Sequence, residues 1–378
     1  MLKLRRAIVL EAESASGSEQ ALSIELSGAP GIRRAAIADV GLVGAADPGD
    51  ELIVNVEAQD LGLGSGGFDI VHVNLTRGLA APGGGESANV MKLNYTSLQH
   101  TVAPVEDARL ELPLARPVAV LALHGQLAPV AWALAQGAPE AKVGYVQTTG
   151  GALAGGHSRA VRLLRERGLL ADHVTAGSAF GGEREAITTA GALHYGLRTL
   201  GWDAAICGPG PGIVGSSSPL GHGGMAALDS AHAALALEAP TLLVARMSSG
   251  DERARHRGIS HHTLTVLDLL LEPVIVALPA GMRSPAGTDL RARLGEVFGA
   301  GAAPRPGLAL DVERPVRLTR HDWRRASVDL PAYAACGLPA ETMGRKLAQD
   351  PLFFGAALAG GGVLSELATQ AHVAGEAA

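Results

Sequence analysis

From residue 118 onward, short apolar runs alternate with stretches of helical composition, and this alternation limits the fold more than any other feature of the sequence. The apolar runs cover residues 118–123, 142–147, 173–176, 203–207, 241–245 and 273–278. A strand that is apolar along its whole length is buried on both faces, as in a parallel sheet covered by helices. Residues 118–313 are therefore predicted to form a doubly wound αβα sandwich with a mostly parallel sheet.

Residues 1–105 show a different pattern, in which short β-prone runs are separated by glycine, proline, aspartate and serine. The runs cover residues 7–11, 22–26, 37–43, 51–56 and 70–75. The separating residues supply the backbone geometries of tight turns, and short strands at this spacing are typical of a small barrel. We predict an N-terminal β-rich, barrel-like module, with residues 61–67 as a hairpin or bulge and residues 106–117 as a connector.

The C-terminal part of the chain has a less regular pattern. Helical composition at residues 183–200, 340–349 and 353–370 predicts three helices, of which the last two follow the α/β domain. Chain ends without packing partners seldom stay ordered. We therefore predict that residues 314–378 form a helical extension that ends in a disordered tail.

Charge and hydropathy exclude several classes of partner. The formal net charge is −6, whereas general nucleic-acid binders carry a basic face or run. The densest basic stretch, Arg253, Arg255 and Arg257, is interrupted and short, as is typical of a solvated surface. The apolar stretch at residues 263–279 contains two acidic residues and falls short of the ~20 residues that span a bilayer. We expect neither a nucleic-acid partner nor a membrane span.

Cysteine usage and the N-terminal residues predict the compartment. Cys207 and Cys336 are too few for a disulfide framework, and the first apolar run is too short for a signal peptide. These features predict a cytoplasmic protein. The chain contains 50 glycines and is rich in alanine, which is compatible with a homodimer.

Polar and titratable residues follow several of the predicted strands at the point where each strand ends. They are His124 and Gln126 after the first strand, Thr148 and Thr149 after the second, the glycine-rich segment 208–218 after the fourth, and the segment 256–262 beyond the fifth. In a doubly wound sheet, ligands bind outside the carboxyl ends of the strands. His124, Thr148 and Thr149 are therefore candidate ligand-binding residues at the same edge as the two segments.

The glycine-rich loop at residues 208–224 matches G-x-G-x-x-G after a strand, but it lacks the other signs of a dinucleotide site. Residues 216–219 delay the helix, and no acidic residue stands where a ribose contact is needed. Backbone N–H groups, serine hydroxyls and a helix N-terminus together favour an anion such as phosphate or carboxylate. The alternative is a tight strand-to-helix connection without a ligand. The candidate ligand-binding residues here are Gly210, Gly212, Gly215, Ser216, Ser217 and His222.

The segment 256–262 contains three imidazoles, an arginine and a serine within seven residues. One hypothesis is anion recognition by Arg257 and Ser260, with His256, His261 or His262 as the general acid or base. A second is metal binding, since neutral imidazole is a good ligand. Adjacent histidines point in different directions on a helix or strand, and no H-E-x-x-H motif is present, so we assign no metal. A third is a capping or surface role, in which Ser260 simply caps a helix that starts near His261.

Three segments resemble one known family. The segments Gly208-Pro-Gly-Pro-Gly-Ile-Val-Gly, His256-Arg-Gly-Ile-Ser-His-His-Thr-Leu-Thr and Gly62-Leu-Gly-Ser-Gly-Gly-Phe-Asp-Ile-Val-His look like the DUF3866 family of bacterial proteins. The resemblance covers nearly the whole chain and implies a bacterial, cytoplasmic protein. It carries over no activity and no catalytic residue. The family version of residues 216–221 is richer in glycine and threonine, which argues against any one of these serines as a nucleophile.

These observations lead to three hypotheses about function. The first is an enzyme that acts on a small anionic or phosphorylated metabolite in a cleft at the carboxyl ends of the strands. The second is a non-catalytic regulatory protein that binds a nucleotide or metabolite in the same cleft. The third is a structural or assembly protein. The sequence predicts a small anionic ligand as the partner and identifies no cofactor.

Overall fold

The computed structural model describes the backbone of residues 2–62, 67–80, 88–106, 109–282, 318 and 320–376. The chain divides into two compact units. The N-terminal unit comprises Met1–Pro104 together with Ala154–Ser158 and Phe180–Gly182. The α/β unit comprises Val105–Leu153, Arg159–Ala179 and Glu183–Ala378.

The N-terminal unit is built on a closed five-stranded barrel, as the sequence predicts. Its strands are β1 (Leu4–Ala12), β2 (Glu19–Leu26), β3 (Arg33–Asp39), β4 (Glu51–Asn55) and β5 (Asp69–Asn74). They pair in the order β1-β2-β3-β5-β4, and antiparallel pairing of β1 with β4 closes the barrel. Side chains alternate between the core and solvent along β2, because successive strand residues face opposite sides. Ala7, Ile24 and Leu52 are fully buried inside.

Two short helices alter the predicted ends of the barrel strands. The strand predicted at residues 37–43 ends at Asp39, because the Asp39 carboxylate accepts hydrogen bonds from the N–H groups of Gly41 and Leu42 and caps α1 (Val40–Val43). Helix α2 (Glu57–Asp60) precedes the predicted hairpin at 61–67, of which residues 63–66 lie outside the described part of the chain. A separate hairpin pairs β6 (Val90–Lys92) with β7 (His100–Val102).

The α/β unit contains an eight-stranded, all-parallel sheet, which confirms the predicted class of fold. Its strands are β8 (Val118–Leu121), β9 (Val143–Thr148), β10 (Asp172–Ala176), β11 (Arg184–Ala186), β12 (Ala204–Pro209), β13 (Thr241–Val244), β16 (Ile275–Pro279) and β17 (Asp322–Ala326). Two small antiparallel pairs lie outside it: β14 (Met247–Ser248) with β15 (Gly258–Ile259), and β18 (Glu341–Thr342) with β19 (Arg345–Lys346).

The order of the strands creates a switch point at the centre of the sheet. The order is β11-β10-β9-β12-β8-β13-β16-β17, so the chain moves outward from β9 to β11 and then returns to β12 beside β8. It continues from β13 toward the opposite edge. Ligands of open α/β sheets bind at the carboxyl ends of strands where the order reverses in this way. The expected position of a site is therefore beyond the ends of β12, β8 and β13.

Helices cover both faces of the central strands. They are α3 (Leu127–Gly137), α4 (Arg159–Glu166), α5 (Thr189–His194), α6 (Ala226–Ala236), α7 (His261–Leu269), α8 (Leu330–Ala335) and α9 (Pro351–Glu376). Val118 and Val120 belong to one core cluster and Ala119 and Leu121 to the other, so every residue of β8 is buried. Burial on both faces explains the continuous apolar runs.

Two predicted helices are wrong. The region predicted as one helix at residues 183–200 holds β11, helix α5 and a π-helical turn, Tyr195–Thr199. Thr188 starts α5 by accepting a hydrogen bond from the Gly191 N–H. The helix predicted at residues 340–349 is instead the β18–β19 hairpin, whose turn residues Met343 and Gly344 have φ values of 49° and 72°. That left-handed backbone is incompatible with an α-helix.

The C-terminal residues, predicted as a helical extension, are part of the α/β unit. Strand β17 pairs with β16 as an edge strand, and α9 packs closely on α3. A Cβ at Gly361 would stand 2.3 Å from the Val130 carbonyl oxygen, so glycine permits this approach. Pro351–Ala374 has the length and composition of a membrane span, but most of that stretch is buried, as in a core helix of a soluble α/β domain. Helix α9 continues to Glu376, and residues 377–378 lie outside the described chain.

Candidate functional site

A cavity of about 610 Å³ lies at the carboxyl ends of the central strands. Four parts of the α/β unit line it: the turn after β8, the glycine-rich loop after β12, the segment from β13 to the first turn of α7, and the β18–β19 hairpin. This is the edge at which the sequence predicts a site. The β18–β19 hairpin also lines the cavity, although the sequence predicts a helix there and no part of the site.

Four arginines line the cavity: Arg246, Arg253, Arg255 and Arg345. Three of them, Arg246, Arg253 and Arg345, lie next to one buried aspartate, Asp251. The Arg253 guanidinium donates two hydrogen bonds to the Asp251 carboxylate, with Nε–Oδ1 at 2.9 Å and Nη2–Oδ2 at 2.8 Å. Asp251 Oδ2 also lies 3.3 Å from Arg345 Nη2 and 3.8 Å from Arg246 Nη2. Because Asp251 is only 1% exposed, its carboxylate interacts with these guanidinium groups and very little with water.

The arginine cluster perturbs the ionisation of its members. Burial alone would raise the pKa of Asp251, but hydrogen bonds from the Arg253 side chain and backbone, and the charges of Arg253 and Arg345, hold that pKa well below its usual value. Burial lowers the pKa of Arg246 to about 10, against the opposing effect of Asp251. Both groups are charged at neutral pH, and Asp251 offsets only one of the four arginine charges at the cavity.

Asp350 connects the hairpin to the segment after β13. Its carboxylate accepts hydrogen bonds from Ser248 Oγ at 2.6 Å, from Arg345 Nε at 3.0 Å and from the Ser249 N–H at 2.8 Å. Asp350 is fully buried at the start of α9. The hydrogen bond to Asp350 holds the Arg345 side chain, which lines the cavity.

Four histidines form one cluster beside the arginines. The ring centroids of His261 and His262 are 3.9 Å apart, and that of His222 lies 4.3 Å from that of His262. The His256 ring centroid is 5.1 Å from His261. One ring nitrogen from each of His256, His261 and His262 lies within 4.8 Å of the other two, so these three residues could hold a metal ion.

Hydrogen-bond partners indicate which nitrogen of each ring carries the proton. His262 Nδ1 lies 3.2 Å from the Pro219 carbonyl oxygen, which can only accept, so neutral His262 is protonated at Nδ1 and keeps a lone pair at Nε2. His222 Nδ1 accepts the Gly224 N–H at 2.9 Å, so its proton is on Nε2. His222 therefore offers a donor to a ligand, whereas His262 offers an acceptor.

All four imidazoles are held in the neutral form. Burial is the main cause, and the neighbouring arginines add to it. The pKa values of His222, His261 and His262 are lowered to about 4 and that of His256 to about 2. At neutral pH the rings are therefore ready to accept a proton or to ligate a metal.

The comparisons with known proteins agree with the resemblance noted in the sequence. The family described as "Protein of unknown function (DUF3866)" matches residues 35–361. The chain belongs to the DUF3866 family. No match is found among curated proteins or among solved structures. The DUF3866 match begins within β3, so it covers β4, β5 and most of β3 in the barrel. It also covers nearly all of the α/β unit, including every residue that lines the cavity.

The structure brings most of the predicted site residues of this DUF3866 protein to the cavity. Its lining includes His124, Gly212, Gly215, Ser216, Ser217, His222, His256 and His262. His261 contacts the lining histidines. His124 follows β8, where its Nδ1 lies 3.4 Å from the Tyr145 hydroxyl, and burial lowers its pKa to about 4.

Besides His261, five predicted residues are not part of the cavity lining: Gly210, Thr148, Thr149, Arg257 and Ser260. Gly210 packs against Gln147, and the Thr148 hydroxyl is turned to the Thr149 carbonyl oxygen. Arg257 is exposed, and its Nε donates to the Asp251 carbonyl oxygen at 2.9 Å. Ser260 caps α7, as one of the sequence hypotheses holds, because its Oγ accepts from the His262 N–H.

The arginines are what sequence reasoning missed. Arg253 and Arg255 line the cavity, although their spacing is typical of a solvated surface. Arg246 could have been predicted, because it comes two residues after the buried strand β13 and therefore at the sheet edge where ligands bind. No local signal marks Arg345, because it reaches the cavity from the hairpin that the sequence predicts as a helix.

The depressed histidine pKa values predict a loss of stability in mild acid. In the unfolded chain these groups titrate near 6.5, whereas the folded values are near 4 for His222, His261 and His262. The unfolded state therefore binds more protons between these pH values, and stability falls as the pH drops from about 6.5 to about 4. We expect the thermal unfolding midpoint to fall across this window, and to fall less steeply in His261→Gln. A flat midpoint from pH 6.5 to 4.5 would contradict the neutral cluster.

Proposed function

We propose that the cavity binds a small phosphorylated or otherwise anionic metabolite and that a neutral histidine transfers a proton during its conversion. The observation that carries the proposal is a pair of unsatisfied donors. Arg246 Nε and Arg255 Nε are buried and have no hydrogen-bond partner among the described residues, and both side chains line the cavity. A buried N–H group without a partner is costly, so an acceptor from a ligand is the expected complement.

The charge of the cavity supports an anion over a neutral ligand. Four arginines line it, and the two aspartates that contact them leave a net positive charge. Guanidinium groups bind phosphate and carboxylate through paired, charge-assisted hydrogen bonds. In the proposed site Arg255 takes the clamping role that the sequence assigns to Arg257.

The glycine-rich loop and the histidines supply the remaining polar groups. Ser216 and Ser217 line the same cavity and offer hydroxyl donors. His222, with its proton on Nε2, is the proposed hydrogen-bond donor to the anion. His262, with a lone pair on Nε2, is the proposed general base. We place this activity in the bacterial cytoplasm, in accordance with the cysteine content and the family.

Anion binding can be measured before any substrate is known. The thermal unfolding midpoint is recorded with inorganic phosphate and pyrophosphate against sodium chloride at equal ionic strength, because a ligand that binds only the folded state raises it. We expect Arg255→Gln to weaken binding by about tenfold or more, since a hydrogen bond to a charged group is worth about 1.5–3 kcal/mol.

The matched control is Arg324→Gln, which removes an arginine on β17 that pairs with Asp322. It should bind both anions as the wild type does. Equal binding by wild type and Arg255→Gln, or no binding by either, would contradict the proposal.

Turnover separates an enzyme from a binding protein that uses the same cavity. The protein is incubated with each metabolite that stabilises it, and the products are analysed by mass spectrometry. We expect conversion by the wild type and none by His262→Asn, which keeps a polar group but loses the base. A ligand that stabilises the protein and is recovered unchanged would favour the regulatory hypothesis.

A further inference from the structure

We infer that His256, His261 and His262 form a binding site for a divalent transition metal ion, with Zn²⁺ the best match. The inference goes beyond the anion-binding proposal, which is carried by Arg246 Nε and Arg255 Nε. With a metal ion on His262 Nε2, a metal-bound water would supply the base in place of that nitrogen. Three imidazoles and one open position are the ligand set of catalytic zinc sites, and imidazole is also a ligand of Co²⁺ and Ni²⁺.

The distances between the three rings fit a single ion. One nitrogen from each ring lies within 4.8 Å of the other two. Zn–N bonds of ~2.0–2.1 Å in a tetrahedral site place the nitrogens about 3.4 Å apart. Closing that difference requires ring movements on the order of 1 Å. The sequence argument against a metal was that adjacent histidines point in different directions. In the structure the ring centroids of His261 and His262 are only 3.9 Å apart.

An unsatisfied nitrogen points independently to a ligand. His261 is 9% exposed, and its Nε2 is buried without a hydrogen-bond partner among the described residues. It lies in the first turn of α7, held there by the Ser260 cap. A lone pair buried in this way gains an interaction when a metal ion is bound.

The other two rings are oriented as metal ligands usually are. A ligating histidine donates its second ring N–H to a carbonyl, carboxylate or hydroxyl group, which fixes its tautomer and orientation. His262 Nδ1 is bonded to the Pro219 carbonyl oxygen at 3.2 Å, and His256 Nδ1 lies 2.8 Å from Ser260 Oγ. These contacts leave Nε2 of both rings for the ion. His222 uses Nδ1 as an acceptor and therefore stays outside the set.

The arginines affect which form of the metal binds. Arg246, Arg253 and Arg255 place positive charge near the site, which opposes a bare cation. The same charge favours a metal that carries an anionic ligand in its open position.

Cobalt binding tests the site directly and without reference to activity. The full-length protein is stripped with a chelator and titrated with Co²⁺ in a chloride buffer free of phosphate, and the visible absorption of tetrahedral Co²⁺ is followed. We expect one Co²⁺ per chain, displaced by one Zn²⁺. His261→Gln should weaken Co²⁺ binding by on the order of 100-fold, since even the groups behind metal ligands contribute 10–100-fold to affinity.

His372→Gln is the matched control, because it removes a half-exposed histidine on α9 far along the chain from the cluster. It should bind Co²⁺ as the wild type does. If His261→Gln does not fold by circular dichroism, His256→Gln takes its place. No Co²⁺ binding by the wild type, a spectrum that is not tetrahedral, or equal affinity in the cluster variant would overturn the inference. Since phosphate is absent throughout, either result leaves the anion-binding test independent.

Discussion

Replacing Asp251 with asparagine is expected to lower the free energy of unfolding of the α/β unit by about 3–5 kcal/mol, as when one partner of a buried ion pair is removed. The carboxylate is 1% exposed and contacts the side chains of Arg253, Arg345 and Arg246. Asparagine fits the same space, but its amide group has no negative charge, and its NH₂ faces guanidinium donors. The Arg246 side chain, only 3% exposed, then keeps a charge with no buried counterion in contact.

Urea denaturation measures this loss, and a surface aspartate provides the control. Asp322→Asn removes a carboxylate whose side chain is 55% exposed and pairs with Arg324. Exposed pairs contribute about 0–1 kcal/mol, so this variant should unfold at nearly the wild-type midpoint. Equal effects of the two substitutions would show that Asp251 does not neutralise the arginine cluster.

The same variant should also change the pH at which the histidine cluster titrates. Asp251 raises the pKa of His256 against the lowering effects of burial, Arg246 and Arg253. Loss of the aspartate leaves those arginine charges uncompensated. Folding and ionisation of the cavity are therefore linked through one carboxylate.

The positions of the central strands in the α/β unit follow from local sequence where burial is complete. The run at residues 118–123 predicts β8, and those at 142–147, 203–207 and 241–245 predict β9, β12 and β13 to within two residues. A strand buried on both faces must be apolar at every position, so its own sequence carries the information. The five barrel strands were predictable in number because turn residues separate them, but β3 (Arg33–Asp39) begins four residues before the predicted run at 37–43.

The failures of prediction lie where distant residues decide the local structure. Residues 340–349 have helical composition, yet they form a hairpin whose arginine pairs with Asp350 and with Asp251, which is 94 residues away. Ser248 and Asp350, 102 residues apart, are joined by a hydrogen bond of 2.6 Å. Pairings at such separations have no local signature, and tertiary contacts override helix propensity there.

The candidate site was predictable in position but not in charge. The glycine-rich loop and the histidine segment follow strands that end at one sheet edge, and the strand rule brings them together. Which side chains turn inward depends on packing. Arg257, two residues from Arg255, is exposed and bonded to a backbone carbonyl, whereas Arg255 lines the cavity. Sequence spacing does not distinguish the two.

Replacing Gln126 with leucine is expected to cost at least about 3 kcal/mol of unfolding free energy and to loosen the cavity. Its Oε1 accepts the N–H groups of Ala122 and Leu123 at 3.1 and 3.0 Å. Its Nε2 donates to the carbonyl oxygens of Val244 and Ala245, both at 3.2 Å. Leucine leaves four buried backbone groups without these partners, and each such group costs roughly 1–3 kcal/mol.

The loss should reach the site because Gln126 ties the carboxyl end of β8 to that of β13. His124 follows the first of these strands and Arg246 the second, and both line the cavity. We expect Gln126→Leu to weaken pyrophosphate binding as well as to unfold at lower urea concentration. Gln126→Glu should not restore stability, because its second oxygen would face the two carbonyl oxygens that the amide now satisfies.

Gln136→Leu supplies the matched control, since it makes the same substitution at an exposed position of α3. The change there removes no buried partner, and surface substitutions of this kind usually lie within about 0.5 kcal/mol of the wild type. If Gln126→Leu unfolds at the same urea concentration as Gln136→Leu, the two strand ends are held by the sheet alone. A protein that keeps its stability but loses anion affinity would place the role of Gln126 in the geometry of the cavity.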